Sequence, residues 1–80
     1  MADFTQKLDT TEGSAFFTFT RIYTVRGVIY FTAVTGRGFR HFFHMEERGG
    51  MWRIVESPKP PEWIYQYEEE LARTILQNRS

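Results

Sequence analysis

A proline cluster, PKPP at 58–61, divides this 80-residue chain into two stretches with different hydrophobic periods. Ahead of it, runs rich in aromatic and β-branched residues alternate with short glycine-bearing links. The runs are AFFTFTRIYTV (15–25), VIYFTAVT (28–35), FRHFFHME (39–46) and MWRIVES (51–57), joined by RG, GRG and ERGG. Such residues fit a pleated, half-buried surface, and glycine supplies the positive φ that tight hairpin links need. Proline has no N–H to give to a ladder, so the cluster ends the sheet. Beyond it, Trp63, Ile64, Tyr67, Leu71, Ile75 and Leu76 recur at helical spacing, which predicts an amphipathic helix from about Pro61 to Gln77. Pro61 suits the first helical position and Glu62 the positive end of the helix dipole, and Glu69 with Arg73 makes an i, i+4 surface pair.

The expected fold is therefore α+β: a four-stranded antiparallel β-meander followed by one C-terminal helix packed on one sheet face, in the order ββββα. Residues 15–80 form this single domain. Residues 1–14, polar apart from one Phe and one Leu, are expected as a flexible N-terminal tail or a short edge segment. The ββββα order resembles the repeat unit of the Pur-alpha and Whirly-type single-strand binders, which pair subunits through sheets and helices; the resemblance is one of element order alone and carries no functional residue.

Turn lengths set an expected register. A two-residue link at 26–27 sets Tyr23 opposite Tyr30, a three-residue link at 36–38 sets Tyr30 opposite His44, and a four-residue link at 47–50 sets His44 opposite Arg53. Side chains alternate along a strand, so two faces follow. One holds Phe16, Ile22, Ile29, Phe31, Ala33, Phe39, His41, Phe43, Met45, Trp52 and Ile54, and is expected to receive the helix. The other holds Phe17, Phe19, Arg21, Tyr23, Val25, Val28, Tyr30, Val34, Arg40, Phe42, His44, Arg53 and Val55, mixing aromatics with arginines. A one-residue slip in any strand would exchange its faces.

This arrangement bears on RHFFHMEE (40–47), whose histidines and glutamates invite a metal or acid–base reading. Residues 41 and 44 differ by an odd number, so on a strand His41 and His44 point to opposite faces and cannot share a metal. His41 is expected across from Glu56, as a sheet-margin histidine satisfied by a hydrogen bond rather than a general base. His44 is expected between Tyr30 and Arg53 on the open face.

Other chemistry is sparse. The chain has no cysteine, which excludes disulfides and thiolate zinc. Ser14, Ser57 and Ser80 stand in no nucleophile motif. TGRGF is not followed by a helix, so it lacks the geometry of a phosphate loop. Glu68, Glu69 and Glu70 are consecutive on a helix and diverge. SPKPP reads as a stiff connection rather than a ligand for a proline-reading groove. No cofactor and no enzymatic activity are expected. No long apolar run and no basic-then-apolar leader stand in the sequence, so a cytoplasmic location is expected and no membrane contact.

The open face remains. Aromatics are 18% of the chain, and one helix cannot cover both sides of a four-stranded sheet. The candidate binding residues are Phe19, Arg21, Tyr23, Tyr30, Arg40, Phe42, His44 and Arg53. The leading expectation is a small non-catalytic protein-interaction module that self-associates through this face or takes another protein there, since aromatics and arginine are enriched at interface hot spots. The alternative is a single-stranded nucleic-acid-binding domain in which the rings stack bases and the arginines meet phosphates. Charge favours the first. Residues 21–53 carry six arginines against two glutamates, but both flanks are acidic and the whole chain is neutral, whereas nucleic-acid binders are usually basic.

Overall fold

The computed structural model describes residues 2–56 and 58–79. Its sheet has five strands rather than the four expected, in the order β1-β2-β3-β4-β5, every neighbour antiparallel. The strands are β1 (Phe4–Thr10), β2 (Gly13–Thr24), β3 (Gly27–Gly36), β4 (Phe39–Arg48) and β5 (Met51–Val55). The sheet curls into a half-barrel. A 3₁₀ segment, Glu62–Tyr67, leads into the C-terminal helix α1, Glu68–Asn78. The α+β meander with a C-terminal helix thus holds. The fifth strand comes from the stretch expected as a tail, and it also departs from the element order shared with the single-strand binders.

β1 is an edge strand whose pattern is easily missed. Only Phe4 and Leu8 carry large apolar groups to the inner side, alternating with exposed Thr5, Lys7 and Asp9. Phe4 is nevertheless well anchored. Its ring stacks on Phe19 with centroids 4.8 Å apart and meets Tyr30 edge-on at 5.6 Å.

The hairpins correct the expected register. Two of them share a Thr-x-x-Gly link. In each, the threonine hydroxyl accepts from the backbone N–H two residues on, and donates to the carbonyl of the glycine three residues on. Thr10 Oγ1 does so with Glu12 and Gly13, and Thr24 Oγ1 with Arg26 and Gly27. Both glycines have positive φ, 98° and 127°, which side chains with a Cβ rarely adopt. The turn therefore sits at Val25–Arg26, and Arg21 rather than Tyr23 faces Tyr30. This shift is by an even count, so β2 and β3 keep the relation expected between them.

The consequential difference lies at GRG. Gly36 is not part of the turn but pairs with Phe39 in the ladder, leaving Arg37–Gly38 as a two-residue loop. The Phe39 ring occupies the place where a Cβ on residue 36 would stand. Tyr30 consequently pairs with Met45, and Phe31 with His44. That single-residue slip reverses β2 and β3 relative to β4 and β5, because side-chain direction alternates with every residue. The link at β4–β5 is likewise two residues, with Met45 opposite Ile54 and Glu46 opposite Arg53, and its faces stay as expected.

The inner, concave face therefore carries Ala15, Phe17, Phe19, Tyr30, Val34, Phe43, Met45, Trp52 and Ile54, all buried. Ile64, Leu71, Ala72 and Ile75 from the helical segment complete this core. Leu71 and Ile75 of the expected helical stripe face inward, while Leu76 is 49% exposed. Of the expected helix contacts, Phe43 and Ile54 lie on this face, whereas Phe31 lies on the other. WIYQY, aromatic and β-branched, makes the tight 3₁₀ turns, and the regular α-helix begins only at the glutamates, where propensity is better. The first of these, Glu68, also caps the exposed edge of the sheet: its Oε2 accepts from the backbone N–H of Ile54 at 2.8 Å. An edge strand with unpaired N–H groups invites unwanted pairing, and this contact blocks it. Across the opening of the half-barrel, the backbone N–H of Thr11 donates to Tyr67 Oη at 2.9 Å.

Candidate functional site

The slip divides the eight expected binding residues between two places. Phe19 and Tyr30 are core residues, 0% and 1% exposed. Arg21 and Tyr23 lie on the same concave side, towards the end of β2. Arg40, Phe42, His44 and Arg53 lie on the opposite, convex face. No single open face joins all eight.

The convex face is where the uncovered apolar surface lies. Phe16, Ile22 and Phe42 are exposed at 50%, 37% and 42%, and the half-buried Ile29, Phe31 and Val55 lie among them. The ladder sets Ile22 opposite Ile29, Ala33 opposite Phe42 and His44 opposite Val55, while Phe16 stands between Lys7 and Thr35. Phe31 is the hub. Its ring stacks on Phe42 with centroids 5.6 Å apart and tilts against His44 at 5.3 Å. The Arg40 guanidinium lies over the Phe42 ring, 5.1 Å from its centroid. Phe16, Ile22, Ile29 and Phe31 thus sit on the face away from the helix, not on the helix face that the turn lengths imply. Counting Gly36 as a strand residue is the step that places them correctly.

Charged groups frame this patch in both signs. Lys7 and Asp9 stand on β1, and Arg40, Glu46 and Arg53 on β4 and β5. Arg53 Nη1 is 3.6 Å from Glu68 Oε1, and Arg48 Nε donates to Glu46 Oε1 at 3.0 Å. The Arg53 guanidinium is thus already turned towards a carboxylate.

No family model, curated protein or solved structure matches this chain. The geometry of the two faces is what bears on function.

The two histidines point apart, as the alternation requires. His44 joins the convex cluster, and His41 stacks on Phe39 at 5.7 Å and meets Trp63 edge-on at 6.5 Å on the concave side. The expected His41–Glu56 pairing is replaced by another. Glu56 Oε2 accepts from Tyr65 Oη at 2.8 Å, and His41 packs on rings instead. Burial, followed by the bond to Glu56, pushes the Tyr65 phenol up to about 12. Of the serines, Ser14 donates to Asp9 Oδ1 at 2.9 Å, while Ser57 and Ser80 lie outside the described residues. Among the described residues no group of three or more His, Asp or Glu side chains is placed to hold a metal, and no helix is long and apolar enough to cross a membrane.

The concave side has its own opening, at the end where Arg21 and Tyr23 lie. A cavity of about 400 Å³ is lined there by Arg21, Tyr23, Val28, Tyr30, Glu47, Trp52 and Arg79. Arg21, Tyr23 and Tyr30 are among the residues singled out by sequence. Trp52 from β5 and Arg79 from beyond the helix join them only through the fold, and no local signal marks either.

Proposed function

We propose that this chain is a small protein-interaction module that self-associates back to back through the convex face of its sheet. One observation carries the reading: the patch around Phe31 and Phe42 lies on the side of the sheet opposite the helix. A patch of several apolar side chains on adjacent strands, spaced roughly 4.8 Å apart with a rise of roughly 3.3 Å per residue, covers on the order of 500 Å². That is at the upper end of what a monomer leaves in water, and approaches the roughly 800 Å² that each partner gives to a standard interface.

A second copy is the favoured occupant on charge and symmetry. The chain is neutral overall, so copies do not repel at long range. A twofold interface sets a patch against itself, and a rim bearing Lys7, Arg40 and Arg53 together with Asp9 and Glu46 can place cations opposite carboxylates. The nucleic-acid reading is weaker on this geometry. A base platform presents open ring faces, whereas Phe42 is engaged by both Phe31 and Arg40, and Arg53 is turned towards Glu68.

Light-scattering mass over a range of concentrations tests the proposal. Wild type should approach the mass of a dimer, and a Phe16→Ser/Phe42→Ser variant should remain folded and monomeric. A wild type that stays monomeric overturns self-association. A monomer that instead binds a mixed single-stranded oligonucleotide, and loses that binding on Arg40→Ala, supports the nucleic-acid reading.

A further inference from the structure

The cavity at the open end of the concave side is lined by two arginines, Arg21 and Arg79, against one carboxylate, Glu47. Arg21 Nε donates to Tyr30 Oη at 3.0 Å, and Nη1 reaches Tyr23 Oη at 3.5 Å. These bonds fix the guanidinium without neutralising it, and among the described residues they leave the other guanidinium N–H groups and both phenol protons unspent. Neither Arg21 nor Arg79 forms an ion pair among the described residues. Trp52 lines the cavity with its ring, while its indole Nε1 is buried away from solvent and has no hydrogen-bond partner among the described residues. Tyr30, 1% exposed, meets Trp52 edge-on at 5.2 Å, so the donors stand on a rigid aromatic floor.

We propose that this cavity is a binding site for a small monoanionic carboxylate attached to a single planar ring. The carboxylate answers the donors of Arg21 and Arg79, and guanidinium groups match carboxylate oxygens in a fork. The ring answers Tyr23, Val28 and Trp52, which supply apolar walls. The volume falls within the range for small-molecule sites and limits the body to a compact group. Glu47 sets the charge of the ligand. Two arginines against one carboxylate leave a single net positive charge, which suits a monoanion and disfavours phosphate, whose second charge would face Glu47. The site lies on the opposite side of the sheet from the convex patch and stands independently of self-association.

The test is a titration of the full chain with benzoate, with neutral benzamide and inorganic phosphate in parallel, followed by the indole N–H resonances in NMR. Trp63, held by Phe39 and Tyr67 away from the cavity, is the internal control. Benzoate should shift the Trp52 resonance saturably and leave that of Trp63 in place. Arg21→Met should weaken benzoate by about tenfold, the loss expected for a charge-assisted bond, and Glu47→Gln should strengthen it. Arg79→Gln, at an exposed position, carries the same test if Arg21→Met does not fold. An unmoved Trp52 resonance, an equal response to benzamide, tighter binding of phosphate, or full affinity in a folded Arg21→Met or Arg79→Gln variant would each overturn the assignment.

Discussion

At the scale of single residues, the core holds polar atoms whose cost is predictable. Thr32 is fully buried and its hydroxyl has no partner among the described residues. Thr32→Val keeps the shape and removes the unmatched group, so it should raise stability by about 1 kcal/mol in chemical denaturation. Tyr65 gives a pH dependence. Its folded-state value is raised to about 12 from 10, so the folded state holds the phenol proton more tightly than the unfolded chain does. The contribution is complete below pH 10 and is lost as pH rises towards 12. Stability measured by denaturant at increasing alkaline pH should fall across that window in wild type, and Tyr65→Phe should flatten the fall. Neither residue is distinguishable in the sequence. The partner of Tyr65 is Glu56, nine positions away across the proline cluster, and composition gives no hint of such a pairing.

At the scale of elements, strands and helix are legible in the sequence because their periods differ, and the relation between strands is not. Whether GRG is a three-residue link or a two-residue link after a strand glycine depends on where the Phe39 ring lies, a contact between neighbouring strands that local composition does not encode. Gly36→Ala places a methyl group against that ring and should cost about 1–3 kcal/mol as overpacking, read as a lower denaturation midpoint. Helix docking follows more directly from the pattern. Leu71 is fully buried within the core that also holds Ile54, Ile64 and Ile75, so Leu71→Ala should cost about 2–5 kcal/mol in thermal or chemical unfolding. Near-wild-type stability of that variant would mean that α1 does not seat on the concave face. β1 is legible only as alternation, Phe4 and Leu8 against polar neighbours, too thin a pattern to separate an edge strand from a polar tail.

At the scale of the whole molecule, the half-barrel has one face that its own helix fills and one that it does not. The candidate residues are half legible in the sequence: alternation puts Arg40, Phe42, His44 and Arg53 on the uncovered face, while the one-residue slip takes Phe19, Arg21, Tyr23 and Tyr30 off it to the concave side. The two sets now separate experimentally. Tyr30→Ser empties a core position and should lower stability by several kcal/mol, on the order of the ~3–5 kcal/mol of large aromatic truncations, whereas Phe42→Ser should leave stability nearly unchanged and act on association. Hydroxyl-radical footprinting of the wild-type chain across a concentration series reads both claims at once. Phe17, Phe19 and Tyr30 should be protected at every concentration, and Phe16, Ile22 and Phe42 should be oxidised when dilute and become protected as copies associate. Oxidation of Tyr30 with protection of Phe42 in dilute solution would contradict the register, and a Phe42 whose reactivity never changes with concentration would contradict self-association through the convex face.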